Sequence, residues 1–389
     1  MCLHFVFTEI ALCSFPDLLQ VPPPELGLDL MPAPLTDEAL SAGDGNVAQQ
    51  KVIELASRGI RIRHLLDFYE EMLGREFFDP ERSTTHDVVR HAIIPMTLQG
   101  VLPAEGSEEI LLWTEDAGVT KFESVQHGIA YASMVNQLKP VFALKMVTHA
   151  WGNVFRNLLA AVFADALGQE TYDKVLQLLE EPGLKTIRFQ LAALHQLDYP
   201  YWICAFSVNQ HAGICDRAPS HDSLGRQITA CPCKTPKFLT GEHCEMNKFD
   251  DMINYLRQSN AAARKRGDET QRFGQVVAID MGFELFSRIW CVAELVEAEK
   301  LHLPQALKMH SQSSREQCVL KLHELDVRSA QASFEADRQL VLDKIQDVDL
   351  FNDKLRDLLL TRLNGFLVAE LLVGLVSVEE LLATVLDTI

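Results

Sequence analysis

Three short apolar runs, Val141 to Val147, Tyr201 to Val208 and Gln275 to Ile279, constrain the fold more than any other feature of the chain. The first leads through Gly152 into helical periodicity over Val154 to Leu167, and the third into a helix over about Ser287 to Leu301. Buried strands alternating with helices predict an α/β fold, a parallel sheet with helices on both faces. This domain is read over 140–330, with a further short strand over Ala306 to Met309. The region 1–139 reads as helical and irregular. It carries a loop with Pro22, Pro23, Pro24, Pro32 and Pro34, then helical spacing of Ile53, Leu55, Ile60, Ile62, Leu65, Leu66, Tyr69 and Met72. Ser83, Thr84 and Thr85 precede Asp87 as an N-cap does, opening a short helix that stops near Pro95. A helical pattern over Glu316 to Leu325 closes the α/β domain, and those over Phe334 to Ile345 and Leu350 to Leu386 make 331–389 a C-terminal helical region.

Charge excludes one class of partner. With 54 acidic against 35 basic residues the formal charge is -19, so the averaged field repels nucleic acid. The basic cluster Arg264, Lys265 and Arg266 is flanked by Asp268 and Glu269 and reads as a solvated end. Met1 to Phe15 lacks a positive leading region and carries Glu9, a poor fit to a secretory signal. Phe366 to Val378, interrupted by Glu370, is shorter than the ~20 residues a membrane span requires. No membrane association and a cytoplasmic location are expected. The odd count of nine cysteines then favours reduced thiols or metal ligands over a disulfide framework.

Three separated motifs resemble Toll/interleukin-1 receptor (TIR) type domains, in the order that fold requires. The first is Val141 to Val147 running into Thr148, His149, Ala150, Trp151, Gly152 and Asn153. The second, Tyr201 to Gln210, is similar both to the second TIR strand and to the "WID…INQ" stretch of fungal heterokaryon-incompatibility domains. The third, Ser287, Arg288, Ile289, Trp290, Cys291, Val292, Ala293, Glu294 and Leu295, is similar to the "S-R-x-W-C-x-x-E-L" helix of plant and microbial TIR domains. Cys204 stands where the second strand usually carries an acid, so that acid's role in relatives has no counterpart here.

The resemblance implies a flavodoxin-like sheet and cleavage of NAD between nicotinamide and ribose, with Glu294 catalytic. Breaking that bond builds an oxocarbenium-like charge on the ribose, which a carboxylate stabilises. Ligands of open α/β sheets bind beyond the carboxyl ends of the strands. The loops there make Thr148, His149, Trp151, Gly152, Asn209 and Gln210 substrate-binding candidates, and the helix motif adds Ser287 and Trp290. Trp151 and Trp290 also read as core anchors, and a lone helical glutamate is usually a solvated one. The alternative is a non-enzymatic signalling module that self-associates or recruits signalling partners, as many TIR domains do.

The insertion at 211–244 has almost no periodicity but holds His211, Cys215, Cys231, Cys233, His243 and Cys244. Thiolate and imidazole groups suit a tetrahedral structural Zn²⁺, a cross-link for a loop lacking an apolar core. The expected set is His211, Cys215, Cys231 or Cys233, and Cys244; the alternative is a long loop with ordinary reduced thiols.

Overall fold

Strands that are apolar on both sides need cover on both faces. In the computed structural model such strands form the centre of a five-stranded sheet. The structure describes residues 47–100, 126–265 and 272–360, apart from 181, 218, 333, 334, 344, 346 and 358. The readings made for Met1 to Phe15, for the proline loop, for Phe366 to Val378 and for most of Leu350 to Leu386 lie outside the described residues. The strands are β1 (Ile60–Arg61), β2 (Lys145–His149), β3 (Pro200–Ile203), β4 (Gly274–Ala278) and β5 (Gln305–Lys308). Their spatial order is β1-β3-β2-β4-β5, with β1 antiparallel at the edge and the other four parallel. The chain is thus mixed α/β, and the segment expected to be a helical preface contributes the edge strand.

Helices α1 (Val47–Ala56), α2 (Ile62–Leu73), α3 (Phe155–Ala166), α4 (Phe249–Lys265), α5 (Ile289–Lys300) and α6 (Gln312–His323) cover the sheet. Side chains alternate faces along a strand, and the register sorts them. Met146 lies opposite Trp202 and Gln275, Val147 opposite Ile203 and Val276. Met146 and Trp202 pack with Val52 and Leu55 of α1 and with Phe249, Met252 and Leu256 of α4. Further along that face, Val277 and Leu307 pack with Val292 and Leu295 of α5 and with Leu322 of α6. Val147, Ile203 and Val276 pack with Leu65 and Phe68 of α2 and Leu158 and Val162 of α3. Trp202 is fully buried, and its Nε1 donates to the Leu55 carbonyl at 2.9 Å, joining α1 to the sheet.

Two strand limits differ from the sequence reading, each for a local reason. The second strand ends at Ile203 rather than Val208, because Cys204–Ser207 turns into a helical segment. Ser207 Oγ accepts from the Ile203 N–H at 3.2 Å, and Gln210 Nε2 donates to the carbonyls of Cys204 and Ala205 at 3.1 and 3.2 Å. Side chains thereby satisfy backbone groups that a neighbouring strand would otherwise hold. The first strand begins at Lys145 rather than Val141, because Val141 is engaged by the N-terminal segment. Its N–H bonds the Ser57 carbonyl at 2.8 Å and its carbonyl accepts from Gly59 at 2.7 Å. Position 59 admits only glycine, since a Cβ would lie 2.7 Å from that same carbonyl oxygen.

The cap at Ser83–Thr85 is a capping box: Thr84 accepts from the Asp87 N–H while the Asp87 side chain accepts from the Thr84 N–H. The helical run it opens passes through a π-turn at Val89–Ile93 and ends after Met96, just beyond Pro95. Among the described residues no helix is long and apolar enough to cross a membrane.

Candidate functional site

Two groups of reactive side chains stand at the carboxyl ends of β2 and β3. One surrounds Glu294, the other is the cysteine and histidine cluster of the insertion.

Glu294 sits in α5 with 8% of its surface exposed, directed at the fully buried Thr148. Thr148 Oγ1 donates to Glu294 Oε2 at 2.6 Å and accepts from Gln275 Nε2 at 2.7 Å. Gln305 Nε2 in turn donates to Gln275 Oε1 at 2.7 Å. This row crosses β5, β4 and β2 on one face, every donor pointing toward the carboxyl group. The strand register dictates it: Gln275 pairs with Gln305 and with Met146, and Thr148 lies two residues beyond Met146. Burial nevertheless outweighs the hydrogen bond from Thr148, and the Glu294 carboxyl is pushed up to about 8, with the Asp250 charge adding to the rise. Thr148→Val removes that hydrogen bond, so the midpoint is expected to move above about 8, a change read by a pH titration of the carboxyl resonance.

At the end of β2 four more polar side chains meet, of which Cys204 and Cys291 lie within reach of the Glu294 charge. His149, at the end of β2, donates through Nδ1 to the Val147 carbonyl at 3.4 Å, which leaves Nε2 bare toward Cys204 Sγ at 3.9 Å. Trp151 Nε1 donates to the same sulfur at 3.1 Å, and Cys291 Sγ donates to the His149 carbonyl at 3.4 Å. Burial lowers His149 to about 4 and raises Cys204 to about 12, so the pair is neutral rather than an ion pair. Cys204 lies near enough to Glu294 for the carboxylate charge to help raise its thiol, and the neutral thiol adds no second charge.

The remaining residues singled out by sequence stand elsewhere. Gly152 is exposed near the Glu284 carboxylate, 3.6 Å from where its Cβ would be. Gln210 faces the carbonyls of the turn after β3, and Asn209 bonds the Gly128 carbonyl through Nδ2 at 3.0 Å. Ser287 is exposed, with its carbonyl accepting from Gln331 at 2.7 Å. Trp290 is half-buried against the core of α5 and α6. Of the eight substrate-binding candidates, then, Thr148 alone bonds Glu294, while His149 and Trp151 meet at Cys204, whose thiol the Glu294 charge helps to raise. Gln275 and Gln305 are site residues that the motifs do not mark; a glutamine opening an otherwise apolar strand is their signal.

The second group is built on a loop that buries little: between positions 219 and 243 Ile228 is the one buried hydrophobic residue among those described. Polar tethers dock it instead. The Ser223 N–H donates to Asp87 Oδ1 at 3.0 Å, Asp222 Oδ2 meets His91 Nε2 at 3.0 Å, and Arg90 donates to the Ile214 carbonyl at 2.7 Å. At its far end Glu245 bonds Arg58 and the Asn209 N–H, both at 2.8 Å.

Within this loop His211, Cys215, Cys231 and Cys233 bring their ligand atoms within 4.8 Å of one another and can hold a metal ion. Cys215 and Cys233 sulfurs are 3.5 Å apart, and Cys231 Sγ is 3.5 Å from His211 Nδ1. Tetrahedral Zn²⁺ with bonds of about 2.3 Å to sulfur and 2.0 Å to nitrogen requires edges of about 3.5 to 3.8 Å. The tautomer also fits. Thr97 Oγ1 donates to the Ile93 carbonyl at 2.6 Å, so it accepts from His211 Nε2–H at 2.9 Å and leaves Nδ1 free for a metal. Burial lowers His211 to about 4, keeping the ring neutral. Lys237 Nζ, 3.8 Å from Cys233 Sγ, offsets the surplus charge of three thiolates on a divalent ion. Gly128 is required beside the ring, since a Cβ would lie 1.9 Å from His211 Cγ. Cys244, expected among the ligands, is buried outside this set, and both Cys231 and Cys233 belong to it instead. The Cys-Pro-Cys turn brings both sulfurs to one centre, which spacing alone left open.

The chain matches no family model, no curated protein and no solved structure.

Proposed function

We propose that the chain is a TIR-like NAD hydrolase on a flavodoxin-like sheet, with Glu294 as its reacting carboxyl and a structural Zn²⁺ centre holding the insertion. The observation that carries this reading is the Glu294–Thr148 pair at 2.6 Å, a buried carboxyl at the carboxyl end of a central strand. The four parallel strands, taken in chain order, run 2-1-3-4 across the sheet, the order of doubly wound folds that bind ligands where the order reverses. That reversal lies between β2 and β4, beside Thr148.

The chemistry follows from the charge of the substrate. The nicotinamide–ribose bond carries a positive charge, and its arrival beside a buried carboxyl favours the ionised form. Glu294 then stabilises the oxocarbenium-like ribose as nicotinamide leaves with the bonding electron pair. Water adds to the ribose carbon and loses a proton, giving ADP-ribose. Trp151, in the loop after β2, and the buried His149 at the strand end flank the Cys204 thiol near this carboxyl. Zinc, if held by three cysteines and one histidine, has no open position for water, so its role is to fix the loop.

The near-complete burial of Glu294 favours the companion reading that the chain is a self-associating signalling module. The two join if association opens the site. Nicotinamide release from NAD, followed by chromatography, is expected from the wild type and is expected to fall at least ~100-fold in Glu294→Gln, the scale for removing a charge-stabilising group. Equal turnover by the two proteins removes Glu294 from the chemistry.

A further inference from the structure

Cys215 and Cys233 face each other across 18 positions of sequence with sulfurs 3.5 Å apart. Cys215 is buried, whereas Cys233 is half-buried. Among the other described thiols Cys231 is also half-buried and shares the cluster, all of whose ligand atoms lie within 4.8 Å of one another. Cys231 faces His211 Nδ1, Cys204 lies against Trp151 and His149, and Cys291 bonds the His149 carbonyl. Cys244 and Cys318 are buried. The sulfurs of Cys215 and Cys233 are in direct contact, and a modest approach brings the two to the ~2 Å of a disulfide.

We propose that Cys215 and Cys233 are a redox-active pair whose oxidation to a disulfide expels the metal ion. The proposal rests on the zinc reading above. A metal keeps its cysteines as thiolates, the nucleophilic form. With hydrogen peroxide as oxidant, the Cys233 sulfur attacks one peroxide oxygen and the O–O bond breaks, giving a sulfenic acid and hydroxide. The Cys215 thiolate attacks that sulfur, the S–O bond breaks, and a second hydroxide leaves. Two thiolates are oxidised by two electrons, and the peroxide is reduced to two water molecules on taking up two protons. Only His211 and Cys231 then remain as ligands, too few for a tetrahedral ion.

The test uses the full chain purified with its zinc. Zinc is quantified by elemental analysis, peroxide is added in steps, and released zinc is read with a chromogenic chelator. Peptide mapping of the same samples locates the oxidised thiols. The expected result is one zinc released for each Cys215–Cys233 cross-linked peptide, lighter by two hydrogens. Dithiothreitol with added zinc should restore the starting state, and Cys244→Ser should behave as the wild type. Protein isolated without zinc overturns both readings. Zinc that stays bound, or that leaves with a Cys231–Cys233 disulfide or with over-oxidised single thiols, overturns this proposal and leaves the zinc centre standing.

Discussion

Glu294→Gln is expected to make the protein more stable at pH 8 while leaving its stability at pH 4 nearly unchanged. The carboxyl is raised from 4.5 to about 8 in the folded chain, chiefly by burial. Between those values the folded state holds a proton that the unfolded state has released. Stability therefore falls as pH rises through this window, and below about pH 4.5 the group contributes no penalty. A tenfold change in an ionisation equilibrium is about 1.4 kcal/mol, so the full window bounds the penalty at roughly 5 kcal/mol. Relaxation and partial water access reduce it, and so does the cost of burying the glutamine amide. A net gain of about 2 kcal/mol at pH 8 is the result to look for. Denaturant unfolding of both proteins at pH 4, 6 and 8 measures it. Parallel stability profiles would show that the carboxyl ionises as freely in the folded chain as in the unfolded one.

Removing the zinc proposed for the insertion is expected to have the second large effect. Structural zinc supplies on the order of 10 kcal/mol of binding free energy in small zinc modules. The insertion has almost no apolar burial to fall back on, with Ile228 alone between 219 and 243 among the described residues. Chelation should therefore open this loop to proteolysis while the sheet, whose clusters lie under α1 to α6, keeps its far-ultraviolet signal. The effect should spread to Thr97 and Gly128, which share hydrogen bonds or close packing with His211. His211→Ala should reproduce the chelated state without chelator. A loop equally protected with and without metal contradicts the assignment.

The strands and helices that surround the site were legible because their patterns are local. The strand–helix alternation and the Thr84 capping box are read from neighbours in sequence, and the sheet and its layers follow from them. The limits of the strands were not. β3 ends at Ile203 because Ser207 and Gln210 fold back on the backbone, and hydrophobicity alone carries Val208 as if it were strand. The row Gln305–Gln275–Thr148–Glu294 depends on pairing register across three strands, which no single segment encodes. The motif did mark Glu294 and Thr148, but not that the carboxyl would be held in the interior rather than in an open crevice. The cysteine and histidine cluster shows the same limit: residue type and density located it, whereas the choice between Cys244 and the second cysteine of the Cys-Pro-Cys segment is made by tertiary packing.

The proposed role of Glu294 is tested most directly by the pH dependence of nicotinamide release from NAD, measured over a range of protein concentrations with Glu294→Gln alongside. If the buried carboxyl must ionise to stabilise the ribose cation, kcat/KM rises with pH, is half-maximal near about 8 and levels off above it, and is lost in the glutamine variant. A profile flat from acid to alkaline pH, or a glutamine variant that cleaves NAD as fast as the wild type, contradicts it.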